Sequence, residues 1–67
     1  MAYKNLTYEQ YKQEIYAICK REYGVVEAYP EEFEKEFERQ EKKGRLKKYY
    51  ERGHSPSDVA DAVALSV

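Results

Sequence analysis

Few side chains in this chain are equipped for chemistry. There is one cysteine, Cys19, and one histidine, His54, among 67 residues. A nucleophile needs a base within hydrogen-bond reach, and 35 positions separate these two in the sequence. Cys19 falls among apolar positions, where a thiol behaves as a small hydrophobe with little thiolate character. His54 stands just before a helix cap, a position whose side chain commonly staples against the fourth helical residue, here Val59. Neither points to catalysis, and no glycine-rich phosphate loop or nucleophile elbow accompanies them. The protein is therefore expected to be no enzyme and to carry no catalytic residue.

Carboxylates are abundant, but only in a pattern that suits a solvated helix face. Glu34 and Glu38, or Glu27 and Glu31, lie four apart without histidine or clustered cysteine, and no alternating Asp, Asn and Gly run suggests a calcium loop. No metal site and no cofactor are expected. What stands out is the charge order. From Glu27 to Glu41 seven glutamates face two cations, and from Lys42 to Arg52 six cations face one glutamate. A chain with a net charge of −1 thus carries a strong internal dipole. Segregated charge of this kind lets two helices neutralise each other, or leaves each to meet a partner of opposite sign.

Tyr49 and Tyr50 sit among Lys42, Lys43, Arg45, Lys47, Lys48 and Arg52, so the basic segment combines cations with rings able to stack on bases. Against a helix-turn-helix, the segment after Gly53 offers Ser57, Asp58, Asp61 and Ser66 and no Arg, Lys, Asn or Gln to read base edges. Nucleic-acid contact is then limited to the backbone, through the basic helix 42–52. Protein binding is favoured over it, because eight tyrosines and two phenylalanines are more aromatic surface than a chain this short readily buries.

The elements that position these residues are all helical. Thr7-Tyr-Glu-Gln fits a capping box, and Tyr8, Tyr11, Ile15, Ile18, Cys19, Tyr16 and Tyr23 then share one arc of roughly 160°. That helix should run from 7 to 23 and stop at Gly24. Val25 to Tyr29 read as a connector. Pro30 suits a first helical position, and Glu31, Glu32 and Glu34 near the start with Lys42 and Lys43 near the end match the dipole of a helix over 30–43. Its large apolar side chains are only Phe33 and Phe37.

Gly44 leaves two options, a continuous helix or a break. If the helix ran straight on, Leu46, Tyr49 and Tyr50 would point roughly 140–240° away from Phe33 and Phe37. A break lets both sets face one interior, which predicts a separate helix over 45–52. Ser55-Pro56-Ser57-Asp58 then starts a last helix over 56–66, capped by Ser55 and apolar nearly all round. Such a helix is either central or shared with another chain.

The expectation is an all-α fold: residues 1–67 as one domain, a compact bundle of three or four helices with the first and last at its centre. With no leader-like or membrane-spanning run, the cytoplasm is the expected compartment, with no membrane partner. The expected role is a small accessory or inhibitory module that binds another protein by occupying its surface, alone or as a homodimer. Lys47, Lys48, Tyr49, Tyr50 and Arg52 are its mixed aromatic and basic contact patch, and Glu31, Glu34 and Glu38 its acidic one. Val59, Val63 and Val67 are the self-association stripe.

Overall fold

A computed structural model describes residues 6–67. It contains α1 (Tyr8–Ile18), which continues as a π-helical turn over Cys19–Tyr23, followed by α2 (Val25–Ala28), α3 (Pro30–Lys42), α4 (Arg45–Glu51) and α5 (Pro56–Leu65). The chain is all-α. No helix among the described residues is long and apolar enough to cross a membrane.

Local signals place most boundaries. The Thr7 hydroxyl accepts from the Gln10 amide at 3.2 Å while the Gln10 side chain accepts from the Thr7 amide at 3.0 Å, closing the capping box. The Ser55 hydroxyl accepts from the Asp58 amide and Pro56 opens α5, whose first free amides are thereby provided for. Gly44 divides α3 from α4 with φ +74°, a left-handed conformation that a side chain disfavours. A Cβ placed there would meet nothing within 4 Å, so glycine is required by the backbone and not by space.

Two expectations change. Residues 25–28 form one helical turn instead of a plain connector, because the left-handed Gly24 at φ +63° redirects the chain straight into a new helix. Val25 on that turn is buried, closing one end of the interior. His54 is exposed and sets its ring edge-on to Tyr49 at 5.2 Å, so its side chain packs backwards onto α4 and does not need the staple onto Val59.

The core is one cluster drawn from every helix. Tyr11, Ile15, Ile18 and Cys19 of the first helix meet Phe33 of α3, Leu46 of α4, and Val59, Ala60 and Val63 of α5. The break at Gly44 achieves what the facing argument requires: Leu46 is fully buried and Tyr49 and Tyr50 pack beside it, on the same interior as Phe33 and Phe37. On α3 a third inward position falls to Gln40, whose amide donates to Glu36 at 2.7 Å, so the charge-rich helix buries a polar group without leaving it unsatisfied.

Contacts between helices give their directions. Tyr11 donates to the His54 carbonyl at 2.7 Å, the Cys19 thiol donates to the Ala60 carbonyl at 3.5 Å, and Tyr23 donates to Asp61 at 3.1 Å. These partners advance along both chains together, so α1 and α5 run broadly parallel. Lys12 binds Glu41 while Tyr16 meets Phe33 and Glu34, so α3 runs against α1. One end of the molecule therefore collects the start of α1, the end of α3, α4 and the turn into α5. The other collects the end of the first helix, α2, the start of α3 and the end of α5.

Candidate interaction surfaces

That arrangement turns a charge order in sequence into charge separated in space. Lys42, Lys43, Arg45, Lys47, Lys48 and Arg52 stand at the first end, all exposed, and none forms an ion pair among the described residues. Of the two options that the charge order leaves open, mutual neutralisation of the acidic and basic helices is not the one seen among the described residues. The described ion pairs are Lys12 with Glu9 and Glu41, Arg21 with Glu22, and Arg39 with Glu36. Glu41 turns inward to Lys12 because that ammonium is largely covered and sits 4.8 Å from the Tyr8 ring, a setting that demands an anion. The exposed cations of α4 have no comparable pull.

The rings expected on the basic patch are already committed to packing. Tyr50 donates its hydroxyl to the Leu6 carbonyl at 2.7 Å and packs its ring at 5.0 Å from Tyr11 and 5.6 Å from Tyr8. Tyr49 lies half-buried against the core and His54. Lys47, Lys48 and Arg52 remain as an exposed cationic face that Glu51 interrupts. Both rings are half-buried, because the stripe that lets α4 reach the core is made of them with Leu46.

On the acidic side Glu31, Glu34 and Glu38 are exposed along α3, and Glu34 accepts from the Tyr16 hydroxyl at 3.1 Å. The self-association stripe does not survive as a surface. Val59 and Val63 are 1% exposed inside a single chain, and only Val67 reaches solvent. The sequence makes α5 apolar nearly all round. Burial on α1 claims the Val59, Ala60 and Val63 side and leaves Leu65 outside.

What sequence reasoning missed lies at the second end. The large apolar side chains left exposed among the described residues are Tyr23, Tyr29, Leu65 and Val67, at 43%, 57%, 78% and 38%. All four line one groove of about 280 Å³, floored by Val25, Ala28 and Ala64. Tyr23 also donates its hydroxyl to Asp61, which ties the end of the first helix to α5. Apolar patches of this kind mark contact sites. Leu65, off the main stripe of α5, and Tyr29, outside any stripe, were the available signals, but only the fold puts them side by side.

Reactive groups are kept quiet or apart. Burial pushes the Cys19 thiol up to about 11, so thiolate is scarce at neutral pH. His54 is bonded through its carbonyl to Tyr11, eight residues or about 12 Å along the helix from Cys19, and the two share no cleft. No group of three or more His, Cys, Asp or Glu among the described residues is placed to hold a metal ion.

Every resolved shift among the described residues has a proton held more tightly by folding. The Tyr16 and Tyr23 hydroxyls are raised chiefly by their bonds to Glu34 and Asp61, Tyr8 chiefly by burial, and the Lys12 ammonium chiefly by its bond to Glu41. A raised value means stability that is whole below the unfolded value and lost as pH climbs through the folded one. For Cys19 that window runs from 9.0 to about 11, and for the tyrosines and Lys12 it opens at 10.0 and 10.5. Urea midpoints should accordingly fall from about pH 9 upward, with Cys19 contributing about 3 kcal/mol in full. Cys19→Ala should delay the onset to about pH 10. A wild-type midpoint that is flat through that window would contradict the buried thiol.

No protein-family model matches this sequence, and no curated protein or solved structure matches it at a significant level. The surfaces themselves carry the functional reading.

Proposed function

We propose that this chain is a small non-enzymatic binding module that acts by occupying a surface of another protein. The observation behind the reading is the groove: every large apolar side chain that the described residues leave exposed converges on it. Aromatic and aliphatic side chains gathered in this way are the material of contact hot spots, where truncation of one residue removes about 2 kcal/mol or more of binding. Accessory or inhibitory action would follow from masking the partner's surface, and the cytoplasm is the compartment proposed for it.

A second reading is favoured by the exposed, unpaired cations of the other end. Lys42, Lys43, Arg45, Lys47, Lys48 and Arg52 could contact a nucleic-acid backbone, with affinity falling steeply as salt rises. With Tyr50 tied into the packing and Tyr49 half-buried, the cations carry that reading.

One capture experiment separates the two. Tagged protein should retain a protein partner from native lysate after nuclease treatment, and Tyr29→Ala with Leu65→Ser should release it. Lys47→Glu with Lys48→Glu should leave that capture in place. Capture that vanishes with nuclease, or with the lysine changes and not the groove changes, would transfer the function to nucleic acid.

A further inference from the structure

The end of the molecule that carries the groove is rich in carboxylates. In sequence Glu27 lies between the lining residues Val25 and Ala28, Glu31 and Glu32 follow Tyr29 after Pro30, and Glu22 precedes Tyr23, while Asp61 accepts the Tyr23 hydroxyl. All five carboxylates are exposed. The cations nearby in the chain are Lys20, Arg21 and Lys35, and Arg21 is paired with Glu22 at 3.5 Å. The end of the molecule that offers apolar contact is thus also its acidic end.

A second copy of the chain is a poor occupant on both geometries open to it. Groove against groove would set two acidic ends face to face, and like charges juxtaposed across an interface are strongly disfavoured. Groove against the basic end would satisfy charge, but no large apolar side chain among the described residues is exposed at that end to fill the floor. A groove of about 280 Å³ is at the lower limit of small-molecule sites, about 300–1,000 Å³, and its lining of Tyr, Val, Ala and Leu includes no charged side chain. It suits a few anchoring side chains of a larger partner.

We infer that the groove seats a cationic amphipathic helix of a different protein, with apolar side chains at i, i+3 and i+4 against Tyr23, Tyr29, Leu65 and Val67 and lysines or arginines beside them facing Glu22, Glu27, Glu31, Glu32 and Asp61. This rests on the binding-module reading above and names the partner's chemistry. Helix-in-groove recognition supplies the affinity through the apolar anchors. The carboxylates of that end steer the approach and discriminate against anionic partners, which is the usual division of labour between buried and peripheral groups.

The probe is a fluorescein-labelled helical peptide of leucine and lysine only, titrated with the full chain and read by anisotropy. A second peptide carries glutamate in place of lysine. The lysine peptide should bind saturably and the glutamate peptide about tenfold or more weakly. Tyr29→Ala with Leu65→Ser should weaken the lysine peptide by about tenfold or more. Glu27→Gln with Glu31→Gln and Glu32→Gln should weaken it severalfold and flatten its dependence on salt. All five positions are exposed, so far-UV circular dichroism should confirm that both variants remain folded. Equal binding of the two peptides, indifference to the groove changes, or no saturable binding up to about 1 mM would overturn the inference. So would sedimentation of the protein alone as a dimer that Leu65→Ser dissociates, which would make a second copy the occupant. If groove changes release a captured protein while the lysine peptide still ignores the groove, the binding-module reading stands and the cationic partner falls.

Discussion

Val63→Glu is expected to unfold the protein and not to split a dimer. Val63 is 1% exposed in the middle of α5, within the cluster that includes Tyr11, Ile15, Phe33 and Leu46. A carboxylate there must either stay charged without a partner, which a pKa raised by about 3–5 units puts at about 4–7 kcal/mol, or take up a proton, which at pH 7 costs about 4 kcal/mol before the lost packing of Val63 is counted. A chain of 67 residues has about 3–10 kcal/mol of stability in total. The substitution therefore consumes most or all of it. Far-UV circular dichroism should show loss of helix, and sedimentation should show an expanded monomer or aggregate. Leu65→Glu, two residues further on at 78% exposure, should keep its helix content. A folded Val63→Glu monomer arising from a wild-type dimer would mean that this face is an interface after all.

Phe33→Ala should be nearly as damaging for the opposite reason, since it removes volume instead of adding charge. The ring is fully buried, edge-on to Tyr16 at 5.2 Å and stacked on Phe37 at 5.8 Å. Deleting a buried phenylalanine side chain costs about 3–5 kcal/mol, the loss of burial plus the cavity left behind. Compensation within α3 is scarce, because its only other large apolar side chain is the half-buried Phe37. In urea the cooperative transition followed by circular dichroism should be lost or moved to very low denaturant. Phe37→Ala, starting from partial exposure, should cost distinctly less. A Phe33→Ala midpoint within about 1 kcal/mol of wild type would show that α3 is held by something other than its aromatic pair.

The charge switch at Lys42 was readable, and its meaning was not. Dipole preferences alone account for Glu31 and Glu32 in the first turn of α3 and Lys42 in its last. Whether the following cations would find carboxylates depended on which helix lay beside which. The acidic side of α3 takes its interhelical partner from α1, where Lys12 holds Glu41, and α4 is left uncompensated. Lys12, which in sequence interrupts an apolar arc, becomes the ion that ties α3 to α1.

The tyrosines show the same division. Their number signals an interior closed by amphipathic rings, and Tyr11, Tyr16, Tyr23 and Tyr50 each reach a partner 18 to 44 residues away. Spacing along a helix ranks them only by face. It cannot distinguish Tyr50, held by Leu6 and two neighbouring rings, from Tyr29, which is left open on the groove.

Within a few residues of each position the sequence is decisive: caps at Thr7 and Ser55, stops at Gly24 and Gly44, the opening prolines, and stripes that assign an inner face to each helix. These depend on dihedral preferences and on side chains three or four apart, interactions already present in an isolated segment. The tertiary structure decided how the segments face one another: α1 parallel to α5, α3 reversed, cations gathered at one end and an apolar groove at the other. Those outcomes follow from burying one common core, a condition that couples all helices at once. Leu65 and Tyr29 are neighbours for that reason alone.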